Sequence, residues 1–378
     1  MNMTKSHPIK YGLIGCGAMG REHIENLRAI GDGDIVAIAD TEAASRDAAL
    51  ARSPAATRVF NDHRTLLEAD LCDALIIATP NHTHAQVLSD ALASRAHILV
   101  EKPLVTRIED GLALLQQAQG RQAMVWVAQE YRYMPPVAEM IRMAHEGAVG
   151  RIHQVAIREH REPFYPKVGD WNRFSANTGG TLVEKCCHYF NLMEFILGEP
   201  AQQVFASGAQ RVNHLDEQYG GQVPDILDSA YAIVEFASGA RAMLDLCMFA
   251  EATIDKEQII IIGDEGKLES LLPSLTLNHG RREDFGRRQV WGEASGTGRG
   301  ISTRRVWDSS IRYAGGHFGA SYIEHLRFAR AIREGTAPEV SLHEGLRSVA
   351  IGMAAHRSIE LGRAVAISEV LPEQWAAA

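Results

Sequence analysis

The sequence has few of the features that mark several large classes of protein. Its 378 residues contain only five cysteines, none of them in a Cys-x-x-Cys pair. Five such cysteines do not make a disulfide framework, so we expect a reduced, cytoplasmic protein. No apolar run is long enough to cross a bilayer, and no membrane partner is expected. A basic excess is also missing: the formal charge of −9 gives no reason to expect binding to nucleic acid.

The N-terminal part contains a glycine motif typical of nucleotide-binding turns. Between an apolar segment and a helical pattern, "IKYGLIGCGAMGREHIENL" carries Gly15, Gly17 and Gly20 as G-x-G-x-x-G. Glycines at this spacing permit a tight turn and let the backbone approach a pyrophosphate closely. The first residues of the following helix, Ala18 and Met19, add backbone N–H groups that favour phosphates. A glycine turn in an unrelated α/β protein is the alternative.

A carboxylate stands where such a site would use one. The segment "DIVAIADT" predicts a second strand that ends in Asp40, twenty residues after Gly20. A carboxylate there accepts hydrogen bonds from ribose hydroxyls and would repel a 2′-phosphate. No arginine directly follows Asp40. We therefore predict NAD as the cofactor, in preference to NADP.

Apolar strands and helical patterns continue to alternate up to about residue 134. This alternation predicts an α/β protein with a doubly wound parallel sheet, the Rossmann arrangement. Ligands of such sheets bind outside the carboxyl ends of the strands. Residues at or just after the predicted strand ends are therefore candidate cofactor contacts: Thr79, Pro80, Asn81, His84, Glu101, Lys102 and Gln129.

The pattern changes after about residue 135. Segments such as "RIHQVAIREHRE", "DSAYAIVEFASGARAMLDLCMF" and "EQIIIIGDEGKLESL" predict strands joined by hairpin turns. They favour an α+β domain with a large, mostly antiparallel open sheet and one helix, residues 182–197, packed on it. We expect residues 280–305 to form a loop. The predicted domains are a dinucleotide-binding domain over 1–134 and a substrate-binding and oligomerisation domain over 135–378.

The predicted helix over 182–197, "LVEKCCHYFNLMEFIL", carries polar groups among core residues. Buried polar groups are costly unless they have partners or a function. On a continuous helix Glu184, His188 and Asn191 would share one face. His188 would then be a general base, because an imidazole titrates near working pH, and Glu184 could orient it. The alternative for His188 is a core histidine with satisfied hydrogen bonds.

Several of these segments together resemble one family. The glycine motif, "IIATPNHTHA", "EKPL", "GGTLVEKCCHYFNLMEFILG" and "YIEHLRFARAIREG" occur in the order seen in the Gfo/Idh/MocA oxidoreductases. The resemblance implies a nicotinamide-binding Rossmann domain and a substrate site faced by Lys102 and His188. It also implies an open C-terminal sheet that joins subunits, so we expect a homodimer or homotetramer. Glu184 and Asn191 stand where the family usually has aspartates.

The resemblance extends the candidate site to further residues. It implies that the loop "GDWNRF" lies near nicotinamide and substrate, with Trp171 and Arg173 as cofactor contacts. Lys102 would polarise the substrate oxygen and stabilise a developing alkoxide. His317 is a further cleft candidate. Besides Lys102 and His188, the predicted substrate contacts are Tyr131, Arg132, Asp170, Asn172, Lys185 and Asn191.

Cys186 and Cys187 are interpreted as packing residues, because adjacent cysteines without further well-spaced ligands make a poor zinc site. No metal is expected.

Taken together, the motifs and the resemblance predict an NAD-dependent sugar or cyclitol dehydrogenase that oxidises a ring hydroxyl of a small polyhydroxylated substrate. Two alternatives stay open. One is an NAD-dependent enzyme that cleaves glycosides through transient oxidation, and the other is a non-catalytic cofactor-binding protein.

Overall fold

The computed structural model describes residues 7–285 and 300–376. Its N-terminal part alternates short apolar strands with helices, as the sequence predicts. The strands are β1 (Ile9–Ile14), β2 (Gly33–Ala39), β3 (Arg58–Phe60), β4 (Ala74–Ile77), β5 (His97–Glu101) and β6 (Val125–Ala128). The helices are α1 (Ala18–Ile30), α2 (Ala43–Leu50), α3 (His63–Glu68), α4 (His84–Leu92) and α5 (Ile108–Gln117).

These strands form one parallel sheet in the order β3-β2-β1-β4-β5-β6. Strands β4 and β6 are buried along their whole length, as expected for a sheet that is covered on both faces. The strand order reverses between β1 and β4, and doubly wound sheets bind nucleotides at this switch point. The Rossmann prediction is confirmed.

The rest of the chain begins with a helix that the sequence patterns did not predict, α6 (Pro135–His145). The strands that follow are β7 (Ile152–His160), β8 (Ala201–Ala209), β9 (Ser229–Phe236), β10 (Arg241–Cys247), β11 (Glu257–Gly263), β12 (Gly266–Leu272), β13 (Thr276–Arg281), β14 (Ile301–Arg305) and β15 (Val365–Ala366). The helices are α7 (Ser175–Thr178), α8 (Thr181–Glu184), α9 (Cys187–Leu197), α10 (Ala320–Glu334), α11 (Leu342–Leu361) and α12 (Glu373–Ala376).

Within the described residues, the second sheet has nine strands in the order β14-β13-β12-β11-β7-β10-β9-β8-β15. Neighbouring strands are antiparallel, except that β7 and β10 run parallel. Buried residues alternate with more exposed ones along β8, β9 and β10. Alternation of this kind is typical of a sheet with one packed and one open face. The predicted mostly antiparallel open sheet is confirmed.

The chain packs into two compact units, each assembled from separate segments. The first unit comprises Met1–Glu130, Lys167–Cys187 and Ser310–Val349, and it holds the parallel sheet. The second unit comprises Tyr131–Pro166, His188–Ser309 and Ala350–Ala378, and it holds the antiparallel sheet. The predicted single boundary after residue 134 does not describe this arrangement, because two later segments of the chain also belong to the first unit.

The single helix predicted for residues 182–197 is wrong. Helix α8 ends at Glu184 and α9 begins at Cys187, with Lys185 and Cys186 between them. At this break the Glu184 carbonyl oxygen accepts a hydrogen bond from Lys102 Nζ at 3.2 Å. A contact between residues so far apart in the chain leaves no local sequence signal, so the pattern could not predict the break.

The loop predicted for residues 280–305 is wrong at its ends. Strand β14 pairs with β13 in an antiparallel ladder from Ile301 to Arg305, while residues 286–299 lie outside the described part of the chain.

Across the described residues, no helix combines the length and the apolar character needed to cross a membrane.

Candidate active site

The glycine motif forms the turn between β1 and α1. Gly15 has a φ of +97°, and a Cβ built on it would lie 2.4 Å from the Ala78 carbonyl oxygen. A Cβ on Gly20 would lie 2.0 Å from the Gly15 carbonyl oxygen. At Gly17 a Cβ would meet no atom of the described residues within 4 Å. Gly15 and Gly20 therefore serve internal packing, whereas the space at Gly17 fits the close approach of a ligand.

Helix α1 begins directly after Gly17, which is its N-cap residue. No side chain of the described residues caps its first turn. Ala18 is exposed and Met19 half-buried. The backbone N–H groups and the positive end of the helix dipole are thus suited to an anion. The turn and the helix start together fit the pyrophosphate of a dinucleotide.

Asp40 lies beside the glycine turn, just after β2. Its Oδ2 accepts a hydrogen bond from the Cys16 backbone N–H at 2.6 Å, and its Oδ1 accepts one from the Glu42 N–H at 2.8 Å. These bonds hold the carboxylate at the edge where the predicted ribose contact requires it. The sequence patterns did not indicate Arg46, whose Nη1 donates to the Asp40 carbonyl oxygen at 2.6 Å. A cation therefore lies next to Asp40.

Thr79, Pro80 and Asn81 follow β4, and His84 ties this loop to the loop after β5. The His84 Nδ1 lies 2.8 Å from the Pro103 carbonyl oxygen, and its Nε2 lies 2.9 Å from the Thr79 carbonyl oxygen. Burial lowers the pKa of His84, although both carbonyls oppose that shift. His84 thus supports the two loops from within the fold. Its direct contact with a cofactor stays a prediction.

Glu101, the last residue of β5, ends a buried hydrogen-bonded chain. Its Oε1 lies 3.0 Å from His23 Nε2, and His23 Nδ1 lies 2.8 Å from His325 Nε2. Its Oε2 accepts the backbone N–H of Lys102 at 3.1 Å. Burial opposes the charge on Glu101, but the hydrogen bond from His23 and the charges of His23, Lys102 and His84 together outweigh burial and lower the carboxyl pKa. No sequence pattern indicated this series of hydrogen bonds, because the two histidines are 302 residues apart.

Lys102 follows β5, and its Nζ donates to the Glu184 carbonyl oxygen at the break between α8 and α9. Burial alone would lower the pKa of Lys102, but nearby acidic groups outweigh burial and raise it. In order of effect, these groups belong to Cys187, Glu130, Glu101 and Glu184. Lys102 is therefore a cation at the carboxyl edge of the parallel sheet.

Gln129 and Glu130, which directly follow β6, also lie at this edge. Gln129, a predicted cofactor contact, is buried, and its Nε2 donates to Ser348 Oγ at 3.1 Å. Glu130, which no motif singled out, is 1 % exposed. Burial, and after it repulsion from Glu101, raises the pKa of Glu130 to about 8. The edge thus combines a carboxylate, an ammonium group and a carboxyl that is largely protonated at neutral pH.

The loop predicted to lie near the cofactor is a turn over Val168–Arg173 in the first unit, which also holds Lys102. Asp170 adopts a left-handed backbone conformation with a φ of 47°, while Asn172 and Arg173 are buried. The half-buried Trp171 ring lies 6.0 Å from the exposed His82 ring, edge to face. This contact joins the loop to the turn after β4.

Lys185 lies in the turn between α8 and α9 and is only 6 % exposed. Its side chain is therefore not directed into solvent. Glu184 and His188 were expected to share one face of an uninterrupted helix, and the break between α8 and α9 removes that helix. An orienting contact between the Glu184 carboxylate and His188 stays a prediction.

In the second unit His188 is buried, and its ring stacks on Tyr131 with a centroid distance of 3.9 Å and an interplanar angle of 2°. Tyr131 also meets the Tyr189 ring edge to face at 5.5 Å. The stack fixes the plane of the imidazole. A general base needs such a fixed direction to reach one substrate proton.

Two other predicted substrate contacts of the second unit bind each other. Arg132 Nη2 donates to Asn191 Oδ1 at 2.6 Å, and both side chains are buried. The Arg132 guanidinium also lies over the Phe195 ring, 4.0 Å from its centroid. Asn191 therefore serves as an acceptor for a buried cation, and a substrate contact by either residue stays a prediction.

Cys186 and Cys187 are completely buried, which fits the predicted packing role. The part of the chain that the structure describes has no group of three or more His, Cys, Asp or Glu side chains able to hold a metal ion.

Two family models match the chain. Residues 9–129 match "Oxidoreductase family, NAD-binding Rossmann fold", and residues 141–367 match "Oxidoreductase family, C-terminal alpha/beta domain". Both models carry the designation GFO_IDH_MocA.

Curated relatives are similar over almost the whole chain. Myo-inositol 2-dehydrogenase of Thermotoga maritima is 25% identical, with 96% of this chain and 100% of that protein covered. The NAD(+) scyllo-inositol 2-dehydrogenase of Bacillus subtilis is 24% identical, with 95% and 96% covered. Among solved structures, levoglucosan dehydrogenase in complex with NADH and levoglucosan matches with a TM-score of 0.82 at 23% identity, covering 96% and 100% of the two chains. At that identity the match shows a shared fold.

Proposed function

The chain belongs to the Gfo/Idh/MocA family of oxidoreductases, and from this premise we propose that it oxidises a secondary ring hydroxyl of a sugar, a cyclitol or a sugar derivative. It is an NAD-dependent oxidoreductase with an NAD-binding Rossmann domain. The observation that carries the proposal is Lys102, a cation fixed at the carboxyl edge of the parallel sheet. Its backbone is held by Glu101 and its Nζ by the Glu184 carbonyl.

The residues that would hold the cofactor lie on both sides of the switch point. Gly17 and the first turn of α1 suit the pyrophosphate, and Asp40 suits the adenosine ribose. NAD, when bound, supplies the acceptor for the substrate hydride. The nicotinamide half would lie over the ends of β4, β5 and β6, since each half of such a sheet binds one mononucleotide.

We assign the polarisation of the substrate oxygen to Lys102. Its ammonium group can donate a hydrogen bond to the hydroxyl and stabilise the negative charge that develops as the proton leaves. The raised pKa keeps Lys102 charged for this role. The Glu184 carbonyl uses one of the three ammonium donors, so others can reach a substrate.

We assign the role of general base to His188. An imidazole can take the hydroxyl proton while the hydride leaves the adjacent carbon. Burial and the stack on Tyr131 support this role, because they give the ring one orientation. Along the chain His188 directly follows Cys187, the first residue of α9 after the break.

A cyclic polyhydroxylated substrate is proposed for two reasons. Relatives are named for myo-inositol, scyllo-inositol and levoglucosan. The candidate residues also carry hydrogen-bonding groups rather than apolar ones. A site that pairs substrate hydroxyls discriminates against analogues lacking one, because its own polar groups would be left unpaired. The proposed substrate contacts of the first unit are Asp170, Asn172 and Lys185, with Arg173 beside them.

A substrate panel tests this proposal. Purified protein with NAD would be offered inositols, pyranoses, anhydrosugars and acyclic alcohols, and NADH would be followed by its absorbance. We expect turnover with one or more cyclic polyols and much weaker turnover with the deoxy analogue of the best one. Reduction of NAD by acyclic or apolar alcohols alone would refute the polyol site. Cleavage of a glycoside without net NADH would favour the alternative reaction through transient oxidation.

The open face of the second sheet is proposed as a contact between subunits. Phe205 of β8 and Ile233 of β9 are direct cross-strand partners, and they are 46% and 45% exposed. Tyr231, two residues before Ile233 on β9, is 64% exposed. Contiguous exposed apolar side chains on one sheet face are typical of protein–protein contacts. A homodimer or homotetramer through this face accounts for them.

A further inference from the structure

We propose that Glu130 is the proton-exchanging group of the nicotinamide half of the site, and that it reaches solvent through His317. Its proton would leave when a cationic nicotinamide binds and stay when a neutral one binds. The inference rests on the part of the proposed function that puts nicotinamide over the ends of β4, β5 and β6. It does not depend on which substrate is oxidised.

The geometry joins a buried acid to water through one side chain. Glu130 comes two residues after the end of β6. Its Oε1 lies 3.3 Å from His317 Nδ1, and the two side chains are 2% and 25% exposed. His317 therefore has one nitrogen near the buried carboxyl, while part of its side chain is in contact with solvent. A proton can pass from Glu130 to Nδ1 while Nε2 releases another to water.

The charged groups around Glu130 come from several elements of the first unit. Glu101 at the end of β5 and Glu22 on α1 repel its charge, whereas Lys102 attracts it, and His317 Nδ1 lies 3.3 Å from its Oε1. With burial as the largest cause, the balance raises the pKa of Glu130 to about 8. The pKa of Glu101 is lowered instead. When two acidic groups near one lysine have pKa values shifted in opposite directions, one typically stays ionised and the other carries a proton.

The two redox states of the cofactor differ in charge only at the nicotinamide ring. The ring is a cation in NAD+ and neutral in NADH, while the pyrophosphate is the same in both. A positive charge near a carboxyl lowers its pKa by roughly 1–3 units. Glu130 therefore should lose its proton when NAD+ binds and retain it when NADH binds. The same linkage would favour NAD+ over NADH as the pH rises.

Proton release on cofactor binding tests the inference without any substrate. Titration calorimetry in two buffers of different ionisation enthalpy gives the number of protons released per bound cofactor. A fall of about one unit from a pKa of about 8 releases about half a proton per site near pH 7.5. We expect this release with NAD+, little with NADH, and no difference between the two in Glu130→Gln. Equal release in the wild type and Glu130→Gln would overturn the inference, as would equal release with the two cofactors in the wild type.

A kinetic version tests His317. With a pH-indicator dye in weakly buffered solution, stopped flow would follow protein fluorescence and proton appearance together. In His317→Asn the proton should appear at least several-fold later than binding, and added imidazole should shorten the delay. Simultaneous signals in His317→Asn would remove His317 from the route. His153→Asn is the matched control, because His153 also lies near a carboxylate, that of Asp264, at the surface of the second unit.

Two further comparisons keep the outcomes separate. Glu324→Gln replaces another buried carboxyl of the first unit, one that accepts a hydrogen bond from the Trp126 indole, and should leave proton release unchanged. If Glu130→Gln does not fold, Glu130→Asp carries the test, since its release should be centred at a different pH. A protein with the Glu130-dependent release that reduces NAD with no polyol would refute the proposed substrate and leave this inference standing.

Discussion

The acidic residues near Lys102 differ in charge because each contacts different residues, some of them far away along the chain. Glu101 stays ionised because the hydrogen bond from His23 and the charges of His23, Lys102 and His84 together outweigh burial. The pKa of Glu130 is raised instead, by burial and by repulsion from Glu101. The sequence predicted Glu101 and Lys102 as site residues from their place after a strand. It could not predict the protonation of Glu130, which depends on burial and on neighbours from other elements.

Replacing Glu130 with glutamine should change how stability depends on pH. The pKa of Glu130 rises on folding from the ordinary value of 4.5 to about 8, so between these values the folded chain binds a proton that the unfolded chain has lost. Stability therefore falls as the pH rises through this window, by at most about 1.4 kcal/mol per pH unit. Urea unfolding from pH 6 to pH 9 should show the wild type losing stability relative to Glu130→Gln up to about pH 8. Parallel curves would contradict this assignment.

Asp40 should set the preference for NAD. Its carboxylate would accept from the ribose and repel a 2′-phosphate. The Arg46 guanidinium, which donates to the Asp40 carbonyl oxygen, would supply a cation for that phosphate once the carboxylate is gone. We expect the wild type to bind NAD more tightly than NADP, and Asp40→Ser to narrow the ratio of dissociation constants by about tenfold or more. Fluorescence titration with both cofactors measures it. Equal affinities in the wild type would show that Asp40 does not make the contact.

Among the elements, the turn from β1 to α1 was predicted in full and the helix after Gly180 was not. The glycine motif is local, since its spacing alone dictates a strand, a turn and a helix. The break between α8 and α9 coincides with a hydrogen bond from Lys102, 82 residues away. Hydrophobic periodicity predicted the β9–β10 and β11–β12 hairpins for the same local reason. It said nothing of the parallel pairing of β7 with β10.

Two glycines of this turn offer a matched pair of substitutions. In Gly17→Ala the methyl group meets no described atom within 4 Å, so stability should change little, while NAD affinity should fall by about tenfold or more because the backbone can no longer approach the pyrophosphate. In Gly20→Ala the methyl group would lie 2.0 Å from the Gly15 carbonyl oxygen, so the fold itself should lose about 1–3 kcal/mol or more. Thermal unfolding and NAD titration separate the two effects. Unchanged NAD affinity in Gly17→Ala would remove the turn from the cofactor site.

For the whole molecule, the order of the segments along the chain differs from their grouping into the two compact units. The sequence predicted two domains in succession, whereas the first unit also takes up Lys167–Cys187 and Ser310–Val349. The late segments of the chain that pack into the first unit have no composition that distinguishes them from their neighbours in sequence. For this reason the loop with Trp171 was assigned through family resemblance, and His325 was not assigned at all.

The subunit contact proposed for the open sheet face can be tested by one charge. Phe205→Arg would bury an unpaired cation in that contact, so the assembly should dissociate to smaller species while the protomer keeps its fold. Val59→Arg is the control, because Val59 is a similarly exposed residue, at 43%, on a strand of the other sheet. Sedimentation velocity reports the oligomeric state of both variants. An assembly that survives Phe205→Arg intact would place the contact elsewhere.

We propose that oxidation of the ring hydroxyl needs both Lys102 and His188. It is tested most directly by the rate of NADH formation from the best cyclic polyol in the wild type, Lys102→Met and His188→Asn, with NAD affinity measured alongside. Loss of a positioned electrostatic or acid–base group costs about 100- to 10,000-fold. We predict losses in this range for both variants, with NAD affinity changed by no more than a few-fold. A rate near that of the wild type in either variant would contradict the claim.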